Sequence, residues 1–104
     1  MSGNSCGALE PYALRVLGDS MEPEFADGCV VIVDPGHAPR DGAYVIVEFA
    51  GDVFFRQLVF DGERRLLKPL NPKYGSFELT PPYTILGGVV QQAGRRRSQR
   101  RHYG

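Results

Sequence analysis

The stretch that decides the fold runs from residue 44 to residue 68 and reads YVIVEF-AGD-VFFRQLVF-DGE-RRLLK. Three runs containing apolar and aromatic residues are separated by two short segments that each contain a glycine. Such runs predict β-strands, and short glycine-containing connections predict hairpins, because glycine adopts positive φ without steric cost. We therefore expect two successive hairpins, the first joining Tyr44–Phe49 to Val53–Phe60 and the second joining Val53–Phe60 to Arg64–Lys68.

The rest of the chain continues this pattern, with turn-forming residues about every 8–12 positions. Thirteen glycines and eight prolines among 104 residues disfavour long helices. The fold class that we predict is mostly β: a compact domain of about seven short strands, arranged as a sandwich or an open barrel. An unrelated SH3-like barrel is the alternative fold. The predicted strands outside the first hairpin are Tyr12–Leu17, Cys29–Asp34, Arg64–Pro69, Phe77–Thr80 and Ile85–Ala93.

Opposite charges are segregated along the chain. Residues 1–94 contain seven Lys and Arg against twelve Asp and Glu, a balance of −5, and the five arginines of residues 95–101 bring the net charge to zero. We expect three parts: a flexible leader over residues 1–10, a folded domain over 11–94 and a basic flexible tail over 95–104. The tail is expected either to be a solubilising end or to contact phosphates without sequence preference.

The composition argues against several classes of protein. The longest run of branched aliphatic residues, Val30–Val33, is far shorter than the roughly 20 residues of a membrane-spanning helix. Residues 1–10 lack the basic start and apolar block of a signal peptide, so we expect a cytoplasmic protein with no membrane attachment. Neither a disulfide framework nor metal-ligand spacing is present, and we expect no metal and no cofactor. The cysteines and histidines are Cys6, Cys29, His37 and His102.

One segment, Gly18-Asp19-Ser20-Met21-Glu22-Pro23, interrupts the β pattern. Asp19 or Ser20 is suited to cap a helical turn, and Glu22 lies three residues after Asp19, as in a capping box. Pro23 would keep the turn short. The free N–H groups of such a turn could stabilise a developing oxyanion beside the Ser20 hydroxyl. An ordinary capping serine is the alternative, and it is common.

Together with the residues that follow it, this segment resembles the LexA/UmuD family of repressor-peptidases, relatives of the bacterial signal peptidases. The resemblance continues along most of the chain, from about residue 13 to residue 91, and it implies a compact LexA-like peptidase domain with a short helical turn at Ser20. It rests on Gly18-Asp19-Ser20-Met21-x-Pro23, Gly28, the apolar strand ending at Asp34, Gly42, Val53–Leu58, Leu67–Tyr74 and Ile85–Val90.

The resemblance also implies a mechanism. Family members cut a peptide bond with a serine nucleophile whose proton passes to a neutral lysine. Ser20 holds the nucleophile position, the backbone N–H groups near it, including that of Met21, would form the oxyanion site, and the lysine position falls at Arg56. Members also cleave their own leader at Ala-Gly or Cys-Gly bonds, which makes Cys6-Gly7 a candidate self-cleavage site; two small residues in a flexible leader are the alternative.

Arg56 departs from the family pattern. A desolvated lysine can lose its proton near neutral pH, whereas arginine has a pKa above about 12 and cannot accept the serine proton. Arg56 is therefore expected either to extend to solvent from a strand edge or to lie in the cleft, bonded to Ser20 or to an acid such as Asp19. The remaining candidate bases are expected to be exposed surface or loop residues: Lys68, Lys73, His37 and His102.

Two functions are consistent with these observations. One is a LexA/UmuD-like serine peptidase with Ser20 as nucleophile and an activity impaired by Arg56. The other is a non-catalytic dimerisation or protein-binding module of the same fold, in which Ile85–Ala93 supplies a dimerisation strand. We expect a homodimer, with a peptide or protein as a further partner. The family's full-length repressors carry an N-terminal helix-turn-helix, for which there is no room before Tyr12, so we expect no sequence-specific DNA binding by this chain alone.

Overall fold

Eight strands form the secondary structure of the part that the computed structural model describes, namely residues 10–93 and the backbone of Arg101 and His102. They are β1 (Tyr12–Arg15), β2 (Val30–Asp34), β3 (Tyr44–Phe49), β4 (Asp52–Asp61), β5 (Arg64–Lys68), β6 (Phe77–Glu78), β7 (Tyr83–Ala93) and β8 (Arg101–His102). They form one antiparallel sheet in the order β1-β2-β7-β3-β4-β5-β6, with β8 paired to β7 outside this path. This arrangement confirms the mostly β fold class. Among the described residues there is no helix long and apolar enough to cross a membrane.

Both predicted hairpins form, and their turns are tighter than the sequence spacing indicated. β3 and β4 pair as far as Phe49 and Asp52, so only Ala50 and Gly51 lie between them. These two residues have positive φ, 54° and 84°, as a two-residue turn matched to the strand twist requires. β4 and β5 likewise leave two residues between them. As a result β4 is longer than the predicted strand by one residue at each end.

The two edge strands are shorter than predicted. β1 ends at Arg15 and β6 at Glu78. Beyond each strand the backbone pairing continues at the next residue: Val16 N donates to the carbonyl of Cys29 at 2.8 Å, and Leu79 N donates to the carbonyl of Arg65 at 2.7 Å. The side chains of Val16 and Leu79 are both buried, so these residues still belong to the core although the regular ladder has ended.

β7 lies inside the sheet and is paired on both sides. Its first half pairs with β3 and its second half with β2. At Gln91 and Gln92 it pairs with β2 and also with β8, which must therefore lie on the side that β3 occupies farther along. A second chain that added a strand at this point would compete with β8, and this constrains the predicted use of Ile85–Ala93 as a dimerisation strand.

The sheet buries apolar side chains in two clusters, and the alternation of side chains along β3 separates them. Val45 and Val47 belong to one cluster, with Leu58, and the intervening Ile46 belongs to the other. The second cluster also contains Met21 and Phe25, which are fully buried. The segment between β1 and β2 is thus attached to the sheet through two apolar side chains, and these fix the position of the residues around Ser20.

The close packing around Gly87 of β7 predicts that a side chain at this position destabilises the fold. A Cβ at this position would lie 2.6 Å from Cγ1 of Val33 and 3.1 Å from the carbonyl oxygen of Asp34. Because overpacking a tight site costs about 1–3 kcal/mol, we expect Gly87→Ala to lower the free energy of unfolding by that amount in chemical denaturation. Gly75→Ala is the control, since a Cβ there meets no atom within 4 Å; equal losses in the two variants would contradict the packing argument.

Candidate functional site

The segment after β1 forms the hydrogen-bonded turn that the sequence predicted around Ser20. Glu22 N donates to the carbonyl of Asp19 at 3.1 Å, and Phe25 N donates to the carbonyl of Met21 at 2.9 Å. The second of these bonds spans one helical turn, which places Met21 and Phe25 on the same side, facing the core. Ser20 is left half-buried at the start of the turn.

The predicted capping box at this turn is wrong. The Glu22 carboxylate does not return to Asp19; it accepts a hydrogen bond from the backbone N–H of Asp27 at 3.2 Å. Asp27 in turn accepts from the N–H of Gly18 at 2.8 Å. These two bonds close the loop between β1 and β2 on itself, and Gly18 takes a φ of 96°, a conformation that favours glycine. The Asp19 carboxylate is thereby left available for other partners.

Arg56 reaches the Ser20 hydroxyl from the middle of β4. Its Nη1 donates to Ser20 Oγ at 2.9 Å and to the carbonyl of Phe55 at 2.8 Å. The guanidinium carbon lies 5.5 Å from the centre of the Phe54 ring, within the range of a cation–π contact. Of the two alternatives that the sequence left open, the structure has the one in which Arg56 contacts Ser20.

The charge of Arg56 has no carboxylate partner in the described part of the chain. No Asp or Glu there lies within ion-pair distance of the guanidinium, and Nε is buried without a hydrogen-bond acceptor. Burial lowers the pKa of Arg56. An arginine nevertheless remains protonated in proteins at physiological pH. The group in hydrogen-bond contact with Ser20 is therefore a donor that cannot accept a proton.

A second loop, residues 69–74, holds the Ser20 turn from outside, and we call it the Asn71 loop. Asn71 N donates to the carbonyl of Ser20 at 3.0 Å, and Asn71 Nδ2 donates to the carbonyl of Asp19 at 2.9 Å. The loop is itself braced by Asn71, whose Oδ1 accepts from the N–H of Lys73 and whose carbonyl accepts from the N–H of Tyr74. The backbone on the N-terminal side of Met21 is therefore fixed by a segment about fifty residues away in sequence.

The same loop neutralises Asp19. Lys73 Nζ lies 2.9 Å from Asp19 Oδ2, and the Tyr74 hydroxyl donates to Oδ1 at 2.5 Å. The bonds from Tyr74 and Lys73 hold the pKa of Asp19 below its ordinary value, and the bond to Asp19 raises the pKa of Lys73. Lys73 is exposed, as predicted, but it is an ion-pair partner of the residue next to Ser20. A lysine whose charged form is favoured in this way is a poor general base.

The other candidate residues are not brought to Ser20 by any described contact. His37 lies on the loop after β2, and its ring atom Cδ2 lies 2.6 Å from where a Cβ of Gly88 would stand. Lys68 is exposed at the end of β5. Within the described residues, Met21 N donates to no acceptor. A donor to an oxyanion must be free in this way, but the catalytic role of Met21 stays a prediction. Cys6-Gly7 lies outside the described residues, as does the side chain of His102, and no group of three metal-ligating side chains occurs within residues 10–93.

Sequence reasoning missed the Asn71 loop as a positioning element. Its residues belong to the Leu67–Tyr74 stretch that carried part of the family resemblance. Asn71-Pro72 is a turn-forming pair in the sequence, and an asparagine in such a turn commonly bonds to backbone groups. That signal predicts a turn, but it does not tell which distant backbone the amide will reach.

The contacts of Asp19 predict a pH-dependent contribution to stability. Because its folded-state pKa is below the ordinary value of 3.8, the ionised contacts stabilise the fold above about pH 4 and are lost as the pH falls through the folded-state pKa. We expect the loss of stability caused by Asp19→Asn to be constant above about pH 5 and to shrink at lower pH, as measured by urea denaturation. Asp52→Asn, which removes an exposed carboxylate at the start of β4, is the control; an Asp19→Asn effect that does not change with pH would contradict the assignment.

Comparison with known proteins bears on this site. A family model described as Peptidase S24-like matches residues 6–90. The chain is 42% identical over 89 residues to the HTH-type transcriptional regulator for conjugative element SXT of Vibrio cholerae, an alignment that covers 79% of this chain and 41% of the regulator. It is 37% identical over 87 residues to repressor protein C2 of Salmonella phage P22, covering 78% of this chain and 40% of the repressor.

A third relative is the LexA repressor of Desulfatibacillum aliphaticivorans, with 35% identity over 72 residues, 68% of this chain and 36% of the repressor. The chain thus spans about two fifths of the length of the relatives it matches. The match to the family model covers the Ser20 turn, Arg56 and the Asn71 loop, and it confirms the resemblance first indicated by the Gly18–Pro23 motif. The chain belongs to the Peptidase S24-like family.

Proposed function

We propose that this chain is a Peptidase S24-like domain whose serine site does not hydrolyse peptide bonds and that acts as a protein-binding and dimerisation module. The observation that carries the proposal is the 2.9 Å hydrogen bond from Arg56 Nη1 to Ser20 Oγ. A serine becomes a nucleophile when a neighbouring base takes its proton. Here the neighbour in contact is already fully protonated, so the first step of a Ser–Lys mechanism has no acceptor.

Within residues 10–93, no described contact brings a replacement base to Ser20. Asp19 is the nearest acid in sequence, but both of its carboxylate oxygens are engaged, one by Lys73 and the other by Tyr74. Lys73 is protonated in its ion pair with Asp19, so it is not free to accept the proton of Ser20. General-base assistance contributes about 10²–10⁴ in rate, so its loss supports a binding domain better than the alternative, a peptidase with Ser20 as a weakened nucleophile.

The assembly part of the proposal draws on the family. The relatives' names describe transcriptional regulators and repressors, and the alignments cover about two fifths of their length. We propose a homodimer for this chain. Because β7 pairs with β2 and β8 at Gln91 and Gln92, a dimer built on this strand would have to displace β8 or use another surface.

Replacing Arg56 by lysine tests the catalytic part. We expect no Ser20-dependent labelling of the native chain by a fluorophosphonate probe at alkaline pH. Arg56→Lys is expected to be labelled at least about a hundredfold faster, because a partly buried lysine can lose its proton and act as a base. Arg56→Gln, which removes the charge without adding a base, and Ser20→Ala combined with Arg56→Lys are the matched controls. Labelling of the native chain at the rate of Arg56→Lys would contradict the proposal.

Light scattering tests the assembly part. We expect a mass of about twice the 11.5 kDa of the chain at high protein concentration. A chain that stays monomeric over the whole concentration range would remove dimerisation from the proposal and leave the protein-binding part to be tested by itself.

A further inference from the structure

The contact between Ser20 and Arg56 leaves hydrogen-bond donors on both side chains for anything that approaches the pair. The two hydrogens of Arg56 Nη1 are directed to the carbonyl of Phe55 and to Ser20 Oγ. Because Ser20 Oγ accepts from the guanidinium, the hydrogen of its own hydroxyl is available to donate. Arg56 Nη2 donates to no residue within 10–93. Both side chains thus offer donors, which is the pattern that binds an anion.

The positive charge at this point is not compensated by the described chain. The nearest acidic residue in sequence to Ser20 is Asp19, and its charge is matched by Lys73 at 2.9 Å. Arg56 has no ion-pair partner among the residues that the structure describes, although its Nε is buried. A partly buried charge without a partner is costly. The site therefore carries one net positive charge, which a monoanion would balance.

We propose that Ser20 and Arg56 form a binding site for a carboxylate, the terminal carboxylate of a peptide or an acidic side chain. The inference rests on the proposed function, because it requires Ser20 to be a hydrogen-bond donor and Arg56 to stay protonated. A carboxylate has two acceptor oxygens, one for the Ser20 hydroxyl and one for Nη2 of Arg56, and its single charge matches that of the guanidinium. The recognition is charge-assisted, so it adds more affinity than bonds between neutral groups.

Matched peptides test the carboxylate directly. N-acetylated Gly-Ala-Ala with a free terminal carboxylate is compared with the same peptide as a C-terminal amide, each titrated into the ¹⁵N-labelled native chain while the amide signals of Ser20 and Met21 are followed. We expect the free acid to bind at least about tenfold more tightly than the amide, since a hydrogen bond to a charged group contributes on that scale. A peptide amide with one internal glutamate forms the third arm. Tighter binding of this peptide or of the free acid than of the uncharged amide supports the proposal and identifies the source of the carboxylate.

Two charge-removing variants show where the preference arises. Arg56→Gln is expected to abolish the preference for the carboxylate. Arg64→Gln, which removes the same charge from an exposed position on β5 paired with Asp61 and Glu78, is expected to keep it. Equal binding of all three peptides to the native chain would overturn the proposal without requiring any variant to fold. An equal preference in native chain and Arg56→Gln would also overturn it.

The outcomes separate this inference from the proposed function. Fluorophosphonate labelling of Ser20 in the native chain at the rate of Arg56→Lys would overturn the non-hydrolytic function, whatever the peptide titrations show. An unlabelled native chain that does not distinguish free acid from amide would leave that function in place and overturn carboxylate binding alone.

Discussion

The direction of one hydrogen bond governs the chemistry of this domain. Between a serine and a neutral lysine, the hydroxyl donates and the amine accepts, and this direction is also the path of the proton in catalysis. Between Ser20 and Arg56 the direction is reversed, since the guanidinium has donors only. The Ser20 hydroxyl of this chain is therefore in contact with a hydrogen-bond donor and not with a base.

This hydrogen bond depends on two independent attachments. Arg56 is held in β4, where its backbone pairs with Val45 of β3 in the hydrogen-bonded sheet. Ser20 is held in a turn rather than a strand, and the turn needs the buried side chains of Met21 and Phe25 on one side and the Asn71 loop on the other. Because the two attachments are separate, a change of residue 56 can alter the chemistry of the site without altering the support of Ser20.

The sequence predicted the parts of this fold that are governed by local rules. It did not predict the contacts between residues that are distant in the sequence. The hairpins around Ala50-Gly51 and Gly62-Glu63 follow from glycine conformation and strand composition, and their strands are off by one residue only at the ends. Contact of Arg56 with Ser20 could be offered only as one of two alternatives, because exposure of a strand residue depends on which loop covers it. Asn71, Lys73 and Tyr74 were not assigned to the site, since their partner Asp19 lies more than fifty residues earlier. Glu22 was assigned to Asp19 by a local spacing rule, but the backbone N–H of Asp27 is its partner.

The contact also explains why a domain that does not use Ser20 as a nucleophile would retain its hydroxyl. Nη1 of Arg56 has two hydrogens, and the carbonyl of Phe55 accepts only one of them. Without Ser20 Oγ, the second hydrogen would lose its acceptor in a place where Nε is already buried and unpaired, and an unsatisfied charged donor is more costly than a neutral one. Arg56 therefore needs Ser20 Oγ as a hydrogen-bond acceptor, whereas Ser20 gains no base from Arg56. An intact Gly18–Pro23 motif in this chain is consequently compatible with a site that binds and does not cut.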